Sequence, residues 1–324
     1  MPKRQSVKTM KPTTARIAMT GTKQNTEPQP SSWFRKVVAG SFHMNRRSFL
    51  KYSTAALAGV SLSRVATTYA AKPACPRIGS CMINSLTEAK QAGLDGVEIK
   101  FDPKATRCEF ADESVRLSYK AQMRETGLVI PSISMNILNW VPLASDPRAP
   151  LWLDQTIDAA ADLGAKVILL AFFIKGDLLD ANRKVKQKDV DLVVERLRAA
   201  APRAKSAGVT LAIENTLPAT ENLRILERIG HDSVKIYYDV FNTGVVKGYD
   251  VPKELRLLKD LVAQVHFKNG GAYMDERKGY FEPIVAALND INYAGWIVLE
   301  TSNPSKNAVA DTRRNAEFVR QLYA

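Results

Sequence analysis

Four side chains that can bind a metal ion or move a proton end four consecutive apolar runs in the second half of the chain. The four residues, each with the run that it ends, are Glu214 (209–215), Asp239 (234–240), His266 (262–268) and Glu300 (296–301). Three carboxylates in one place repel one another unless they share a proton or a cation. Three carboxylate oxygens and one imidazole nitrogen suit Mn²⁺, Mg²⁺, Co²⁺ or Zn²⁺, and leave coordination positions for substrate oxygens. We therefore predict one divalent metal site, provided that the fold brings the four side chains together.

These runs belong to a longer alternation of apolar and amphipathic stretches, which begins at about residue 75. Runs rich in Val and Ile predict β-strands at 77–81, 96–101, 129–135, 166–173, 209–215, 234–240, 262–268 and 296–301. Amphipathic stretches between them predict helices, among them 151–163, 190–207, 223–229, 252–261, 281–291 and 311–322. Apolar strands separated by helices indicate a parallel sheet that is buried on both faces.

Eight strand–helix units in about 250 residues predict an α/β fold of the (β/α)8 TIM barrel type. A doubly wound open sheet is the alternative, and it usually carries a glycine-rich phosphate loop after an early strand. The sequence contains neither G-x-G-x-x-G nor a Walker pattern. In a barrel the chemistry lies at the C-terminal ends of the strands, so side chains at those ends converge.

Five further polar residues near strand ends are candidate substrate-binding residues. They are Glu98, Lys100, Asn215, Asn242 and Lys268. Side chains alternate along a strand, so Lys268 shares a face with His266, and Lys100 shares a face with Glu98. Either lysine can pair with a substrate carboxylate or phosphate. The structural alternatives are solvated loop lysines, and carboxylates that cap helices or begin loops.

The charge of the chain is concentrated at its N-terminus. The formal net charge is +13, but residues 1–70 contain 12 Lys and Arg and one acidic residue. The remaining 254 residues contain 34 Lys and Arg and 32 Asp and Glu. Because the body is nearly neutral and lacks a basic stripe with interleaved aromatic residues, we do not expect it to bind nucleic acid.

The positively charged N-terminal segment contains a pair of adjacent arginines. Arg46 and Arg47 are followed by SFLK, a mildly apolar segment and then small residues. This pattern resembles a bacterial twin-arginine signal peptide, which implies recognition by the Tat export machinery and a periplasmic location. An amphipathic or anchoring helix is the alternative, but the segment is too polar to predict a stable membrane span. We divide the chain into a disordered extension (1–43), a signal peptide (44–70) and a TIM barrel domain (71–324).

The three cysteines do not form a disulfide framework. The chain has three cysteines, Cys75, Cys81 and Cys108, so at least one of them has no partner within the chain. None of them forms a C-x-x-C motif with another. One bridge between Cys75 and Cys81 in an oxidising compartment and buried free thiols are both compatible with the sequence.

The strand-end segments resemble those of one family of TIM barrels. IENT, YYDVFNTG, VHFKNG and GWIVLET are similar to motifs of the xylose isomerase-like barrels, and within them of the sugar phosphate isomerase/epimerase group, which includes ketose 3-epimerases. The resemblance covers residues 77–324. It implies one divalent ion, usually Mn²⁺, bound by Glu214, Asp239, His266 and Glu300. It also implies that Glu214 and Glu300 act as catalytic residues on opposite faces of the substrate carbon.

Histidine positions separate this chain from other branches of the fold. Asn242 stands where many epimerases have a histidine, and an amide cannot transfer a proton at neutral pH. Only His231 and His266 lie in the barrel region, too few for the trinuclear zinc site of the AP endonuclease branch. No histidine occupies the early barrel position of the xylose isomerase catalytic histidine.

These observations predict a divalent-metal-dependent sugar isomerase or epimerase that removes a proton next to a carbonyl, through an enediolate. Export favours a non-phosphorylated ketose or keto-sugar as the small-molecule substrate. One alternative is a dehydratase or lyase of the inosose dehydratase type. Another is an exported carbohydrate-binding barrel without catalysis. A homo-oligomer is compatible with the sequence.

Overall fold

The computed structural model describes residues 75–83 and 85–324. The predicted extension at 1–43 and the predicted signal peptide at 44–70 lie outside the described residues. Within the described part, no helix has both the length and the apolar character that crossing a membrane requires.

Within residues 75–83 and 85–324, nine parallel strand segments form a nearly closed barrel. They are β1 (Arg77–Ser80), β2 (Gly96–Val97), β3 (Ile99–Lys100), β4 (Ser132–Met135), β5 (Val167–Ala171), β6 (Thr210–Glu214), β7 (Val234–Asp239), β8 (Val262–Phe267) and β9 (Trp296–Leu299). Their order in the sheet is β2-β1-β9-β8-β7-β6-β5-β4-β3. Since β2 and β3 are consecutive in the chain, the two ends of the sheet meet. The predicted TIM barrel is therefore confirmed.

The barrel closes at Glu98, the single residue between β2 and β3. On one side, β2 pairs with β1, and the Glu98 N–H donates to the Ser80 carbonyl at 3.0 Å. On the other side, the Val97 N–H donates to the Val129 carbonyl at 3.1 Å, and β3 pairs with β4. The second predicted strand changes partner in its middle, which is why it appears as two short segments.

Eight α-helices of the described residues surround the strands. They are α1 (Leu86–Gln91), α2 (Glu113–Thr126), α3 (Ala149–Leu163), α4 (Gln187–Ser206), α5 (Ala219–Ile229), α6 (Val251–Leu258), α7 (Lys278–Asp290) and α8 (Ala308–Tyr323). Gly164 and Gly230 end α3 and α5 at φ values of 77° and 69°. Glycine adopts this left-handed conformation without the steric penalty of a Cβ, so the chain turns directly towards the next strand.

Alternation along the strands separates an outer core from the barrel interior. Outward residues such as Ile168 and Ile213 pack in the large cluster that the helices cover. Inward residues such as Leu169, Ala212 and Tyr237 form a small cluster inside the barrel. Glu214 and Asp239 follow Ala212 and Tyr237 by two positions, so their side chains also face inwards, at the C-terminal end of the barrel.

Candidate metal centre and active site

The barrel brings the four predicted metal ligands together. Glu214 and Asp239 are the last residues of β6 and β7, His266 lies in β8 opposite Asp239, and Glu300 directly follows β9. One donor atom from each residue lies within 4.8 Å of the others. Glu214, Asp239 and His266 are 5, 0 and 3% exposed. Three of the four therefore lie in a site from which water is largely excluded.

The imidazole of His266 directs Nδ1 towards all three carboxylates. Nδ1 lies 3.0 Å from Glu214 Oε1, 3.6 Å from Glu300 Oε2 and 4.0 Å from Asp239 Oδ2. Asp239 Oδ1 accepts hydrogen bonds from the backbone N–H groups of Phe241 and Asn242, at 2.8 and 2.7 Å. Asp239 is thereby fixed with Oδ2 towards the centre of the site.

The donor set fits a divalent cation. Buried Asp239 Oδ2 has no hydrogen-bond donor of good geometry among the described residues. The Lys268 ammonium lies 2.9 Å from it and 2.6 Å from Glu300 Oε2. Carboxylates gathered in this way require positive charge nearby, which Lys268 supplies in part. Carboxylate oxygens and an imidazole nitrogen are suitable ligands for Mn²⁺, Mg²⁺ or Zn²⁺.

Burial and mutual repulsion set the protonation of the carboxylates. Burial raises the pKa of Glu214 to about 7, and the charges of Glu300 and Asp239 add to the rise, against the opposing effect of His266. Burial also raises the pKa of Asp239, which Lys268 opposes. At Glu300 the effect of burial is outweighed by His266 and Lys268, which lower its pKa.

His266 is itself protonated more readily than a free histidine. Burial opposes the charged form, but the charge of Glu214 outweighs it and raises the pKa of His266 well above its ordinary value. Glu214 and His266 therefore hold a proton between them at neutral pH when no metal ion is bound. Metal ligands must release such protons before they coordinate.

A buried polar network holds the other face of His266. Nε2 lies 3.2 Å from Glu98 Oε1, while Glu98 Oε2 accepts hydrogen bonds from Ser132 Oγ at 2.6 Å and from the Tyr237 hydroxyl at 2.9 Å. Gln264 Nε2 donates to Ser132 Oγ at 2.7 Å and to the Tyr237 oxygen at 3.1 Å. A carboxylate bound to one imidazole nitrogen orients the ring and leaves the other nitrogen for a metal ion.

The other predicted substrate-binding residues lie in three different environments. Lys100, Asn242 and Glu98 line the same cavity as the predicted metal ligands Glu214, His266 and Glu300. Lys268 is paired with Asp239 and Glu300. Asn215 is buried and holds its own loop, because its side chain donates to Asn222 Oδ1 and accepts from the Leu217 N–H, both at 2.9 Å. Asn215 is not among the residues that line this cavity.

The cavity has a volume of about 300 Å³ and a largely polar wall. Its lining residues are Cys81, Glu98, Lys100, Ser134, Asn136, Asn139, Ala171, Phe173, Glu214, Asn242, His266 and Glu300. Hydroxyl and amide groups of this kind bind sugar hydroxyls by both donating and accepting hydrogen bonds. The cavity therefore suits a small polar ligand that contacts three of the predicted metal ligands, Glu214, His266 and Glu300.

Four polar lining residues were missed from the sequence: Cys81, Ser134, Asn136 and Asn139. They lie at or just after the ends of β1 and β4. The carboxylates were identified because they lie at strand ends. The same rule finds the four missed residues when it is applied to uncharged residues in the first half of the barrel. Cys75, Cys81 and Cys108 are all free thiols, so the bridge considered between Cys75 and Cys81 is not formed.

Relatives with similar sequences are sugar epimerases by name. SgbU of Escherichia coli strain K12, provisionally named an L-ribulose-5-phosphate 3-epimerase, is 29% identical over 241 residues, which cover 66% of this chain and 82% of SgbU. The 2-epi-5-epi-valiolone 7-phosphate 2-epimerase of an Actinoplanes species is 27% identical over 186 residues, which cover 56% of this chain and 66% of that protein.

A solved structure and a family model agree with the barrel. The D-allulose 3-epimerase of a Methylomonas species, in complex with D-allulose, matches with a TM-score of 0.63 at 16% identity, covering 78% of this chain and 98% of that one. The model of the xylose isomerase-like TIM barrel family matches residues 86–322. The match spans most of the described barrel, and the chain belongs to the xylose isomerase-like TIM barrel family.

Proposed function

We propose that this protein is a divalent-metal-dependent sugar epimerase or isomerase that moves a proton next to a carbonyl of a non-phosphorylated ketose or keto-sugar. The observation that carries this proposal is the convergence of Glu214, Asp239, His266 and Glu300, three of which line a polar cavity. The family of the chain and the names of its relatives support a sugar epimerase or isomerase.

The same four residues are the proposed metal ligands. A divalent ion bound there supplies a Lewis acid that stabilises negative charge on substrate oxygens. Glu98 holds Nε2 of His266, and the backbone N–H groups of Phe241 and Asn242 hold Oδ1 of Asp239. These contacts orient two of the ligands before an ion arrives.

Glu214 and Glu300 are the proposed proton-transfer residues. They come from β6 and from the end of β9, and the two strands between them carry Asp239 and His266. The two glutamates therefore reach the centre from different sides of His266, where Nδ1 lies 3.0 Å from Glu214 and 3.6 Å from Glu300. One carboxylate removes the proton from the substrate carbon, and the other delivers a proton to the opposite face.

The cavity wall supports a substrate without a phosphate group. Asn136, Asn139, Asn242 and Ser134 offer amides and a hydroxyl, which match sugar hydroxyls. No arginine is among the residues that line the described cavity. Arginine often binds phosphate groups through paired hydrogen bonds from its planar guanidinium group.

Deuterium exchange tests the proposed reaction. Purified protein with Mn²⁺ is incubated in D₂O with a panel of free ketoses and keto-glycosides, and NMR measures deuterium at the carbon next to the carbonyl. We expect exchange and epimer formation with at least one substrate, and a loss of rate of at least about 100-fold in Glu214→Gln and Glu300→Gln. Glu125→Gln, which alters an exposed residue of α2, is the matched control and keeps the wild-type rate.

The products decide between the two enzymatic reactions. Epimers or isomers of the substrate support the proposal, whereas loss of water after exchange identifies a dehydratase. The proposed function is wrong if no substrate exchanges and no divalent ion binds. If no substrate exchanges and no divalent ion binds, but a sugar binds tightly, the protein is a non-catalytic carbohydrate-binding barrel.

We also propose that the chain is exported through the twin-arginine pathway to the periplasm. The support is the sequence at 44–70, in which Arg46 and Arg47 precede an apolar segment. Replacement of both arginines by lysine is expected to abolish export of the full chain, while Arg35→Lys, outside the motif, has no effect. Cell fractionation measures the outcome, and retention of all three proteins in the cytoplasm would contradict this proposal.

A further inference from the structure

We propose that the wall formed by β3 and β4 binds the far end of the substrate, and that Lys100 pairs there with a substrate carboxylate. This inference rests on the proposed function and makes its substrate class more specific, namely an acidic keto-sugar. It comes from the charge and hydrogen bonding of cavity residues that the proton transfer does not use.

Lys100 is held in the cavity wall without a charged partner. It lies in β3, in register with Ser134 of β4, and its side chain is half-buried. In the described structure its ammonium donates a hydrogen bond only to Met82 Sδ, at 4.0 Å. Within 75–83 and 85–324, no carboxylate lies within ion-pair distance of Lys100. Lys268, by contrast, is already paired with two carboxylates.

The acidic residues near Lys100 in the chain already have hydrogen-bond donors. Glu98 is held in the buried network around His266, and the other two accept from backbone groups. Glu109 Oε1 accepts a hydrogen bond from the Asp102 N–H at 2.8 Å. Asp102 Oδ1 in turn accepts from the Lys104 N–H at 2.8 Å. These bonds hold the loop after β3, and neither carboxylate forms an ion pair with Lys100 in the described structure. The Lys100 ammonium therefore remains available to an anion in the cavity.

Asn136 adds a second observation that points to a ligand at this wall. Its Nδ2 donates to the Phe101 carbonyl at 3.1 Å, which fixes the amide. Its Oδ1 is buried and accepts no hydrogen bond in the described structure. A buried acceptor without a donor is energetically costly, and a substrate hydroxyl in the cavity relieves that cost. Lys100 and Asn136 both line the cavity, one offering a positive charge and the other an acceptor.

The arrangement of the strands separates this wall from the metal ligands. The proposed ligands lie on β6 to β9, whereas Lys100 and Asn136 lie on β3 and just after β4. In the closed sheet, β5 separates the two groups on one side, and β1 with β2 separates them on the other. A sugar whose reacting carbon lies at the metal ligands therefore extends its other end towards Lys100.

A carboxylate matches this wall better than a phosphate. A phosphate group usually meets several donors, such as a helix N-terminus, a glycine-rich loop or an arginine. Here one ammonium and one acceptor oxygen are available, which suits a single negative charge beside a hydroxyl group. The phosphate groups in the substrate names of the relatives make a phosphorylated sugar the comparison that the experiment must include.

The test uses D-fructose and two derivatives of the same configuration, D-fructuronate and D-fructose 6-phosphate. The three compounds differ only in the group at C6, which is a hydroxyl, a carboxylate or a phosphate. Deuterium exchange gives kcat/KM for each with the Mn²⁺-loaded protein. We expect the fructuronate-to-fructose ratio to exceed about 10 in the wild type and to fall about 10- to 100-fold in Lys100→Met, the range for a hydrogen bond to a charged group. Lys100→Arg restores part of the ratio. Lys104→Met, which removes a nearby exposed charge outside the cavity, leaves the ratio unchanged.

A binding measurement makes the inference independent of turnover. Calorimetry compares D-gluconate with sorbitol, which lack the keto group and do not react. Stronger binding of gluconate in the wild type than in Lys100→Met supports the anion site. Equal binding in both proteins overturns it, as does a preference for fructose 6-phosphate over fructuronate. Exchange with fructose but without any preference for fructuronate refutes this inference while leaving the proposed function intact.

Discussion

His266 is the residue on which the proposed centre depends, because its two nitrogens face different parts of the barrel. Nδ1 faces Glu214, Asp239 and Glu300, while Nε2 faces Glu98. The sequence predicted the first set of contacts from strand ends. It did not predict the second, because a glutamate in the middle of an apolar strand gives no sign of its partner. Glu98 was predicted to bind substrate, and we propose instead that it positions the imidazole.

Replacing Glu98 tests this positioning role. Glu98→Gln keeps the shape of the side chain but removes the charge that orients the imidazole. We expect the Kd for Mn²⁺ to rise about 10- to 100-fold, as for other residues that hold metal ligands. Isothermal titration calorimetry measures the change, with Glu125→Gln as the surface control. An unchanged Kd in a folded Glu98→Gln protein would show that Glu98 has no such role.

The pKa of Glu214 predicts how metal binding depends on pH. Burial raises this pKa to about 7 in the metal-free protein, so Glu214 must lose a proton before it binds an ion. We expect the Kd for Mn²⁺ to fall by at least about tenfold per pH unit between about pH 5.5 and 6.5. It should continue to fall above about pH 7, because His266, whose pKa is also raised, must release a proton as well. Calorimetry in buffers of different ionisation enthalpy measures the released proton. A Kd that is constant over this range would contradict the prediction.

The same shift has a defined sign for stability without metal. The folded state holds the Glu214 proton more tightly than the unfolded chain, whose carboxyl has the ordinary pKa of 4.5. The tighter proton binding therefore stabilises the folded state. This stabilisation is full below pH 4.5 and is lost as the pH rises through about 7. We expect the Tm of the wild type to fall more than that of Glu214→Gln between pH 5 and pH 7.5, as measured by calorimetry without metal. Parallel curves for the two proteins would contradict this assignment.

At the scale of the elements, the positions of most strands and helices follow from apolar periodicity. The second strand is the exception, because its pattern at 96–101 predicts one continuous strand and the barrel divides it at Glu98. Apolar periodicity reports burial, and both halves are buried. It carries no information about the neighbour with which each half pairs. Partner exchange follows from closing the sheet and is not encoded in the pattern of one segment.

Gly96 lies at this closure, and its replacement tests how tightly the barrel is packed there. A Cβ on Gly96 would lie 2.6 Å from the Val129 carbonyl oxygen and 2.9 Å from the Trp296 ring. We expect Gly96→Ala to lower the free energy of unfolding by about 1–3 kcal/mol, the usual cost of overpacking. Urea denaturation followed by circular dichroism measures it.

Gly279 provides the control for that substitution. It lies in α7, and a Cβ there meets no atom within 4 Å. Gly279→Ala is expected to leave stability unchanged or to raise it by up to about 1 kcal/mol, through helix propensity. Equal stability of the two variants would contradict the close packing at Gly96.

At the scale of the whole molecule, the second half of the barrel was easier to interpret than the first. The ends of β6, β7 and β8 and the residue after β9 carry charged or imidazole side chains, which stand out after apolar runs. The ends of β1 and β4 carry Cys81, Ser134 and Asn136, residue types that are common in loops. Their contribution to the cavity follows from the closed barrel, and only the three-dimensional structure shows it.

A metal ion that binds four strands is expected to stabilise the entire barrel. Ligands that bind only the folded state raise the free energy of unfolding by about 2.7 kcal/mol at 100 times their Kd. For a domain of this size, we expect a rise in Tm of about 5–10 °C with Mn²⁺, and its reversal by EDTA. Differential scanning calorimetry measures both. The Asp239→Asn protein should lose most of the rise, and an equal rise in that variant would place the ion elsewhere.

The most direct test of the account is anomalous X-ray diffraction from crystals of the protein grown with Mn²⁺. If the four residues bind one ion, we expect one strong anomalous peak at the C-terminal end of the barrel. Oxygen atoms of Glu214, Asp239 and Glu300 and Nδ1 of His266 should lie about 2.0–2.3 Å from it. Absence of a peak at saturating Mn²⁺, or a peak away from these four side chains, would contradict it.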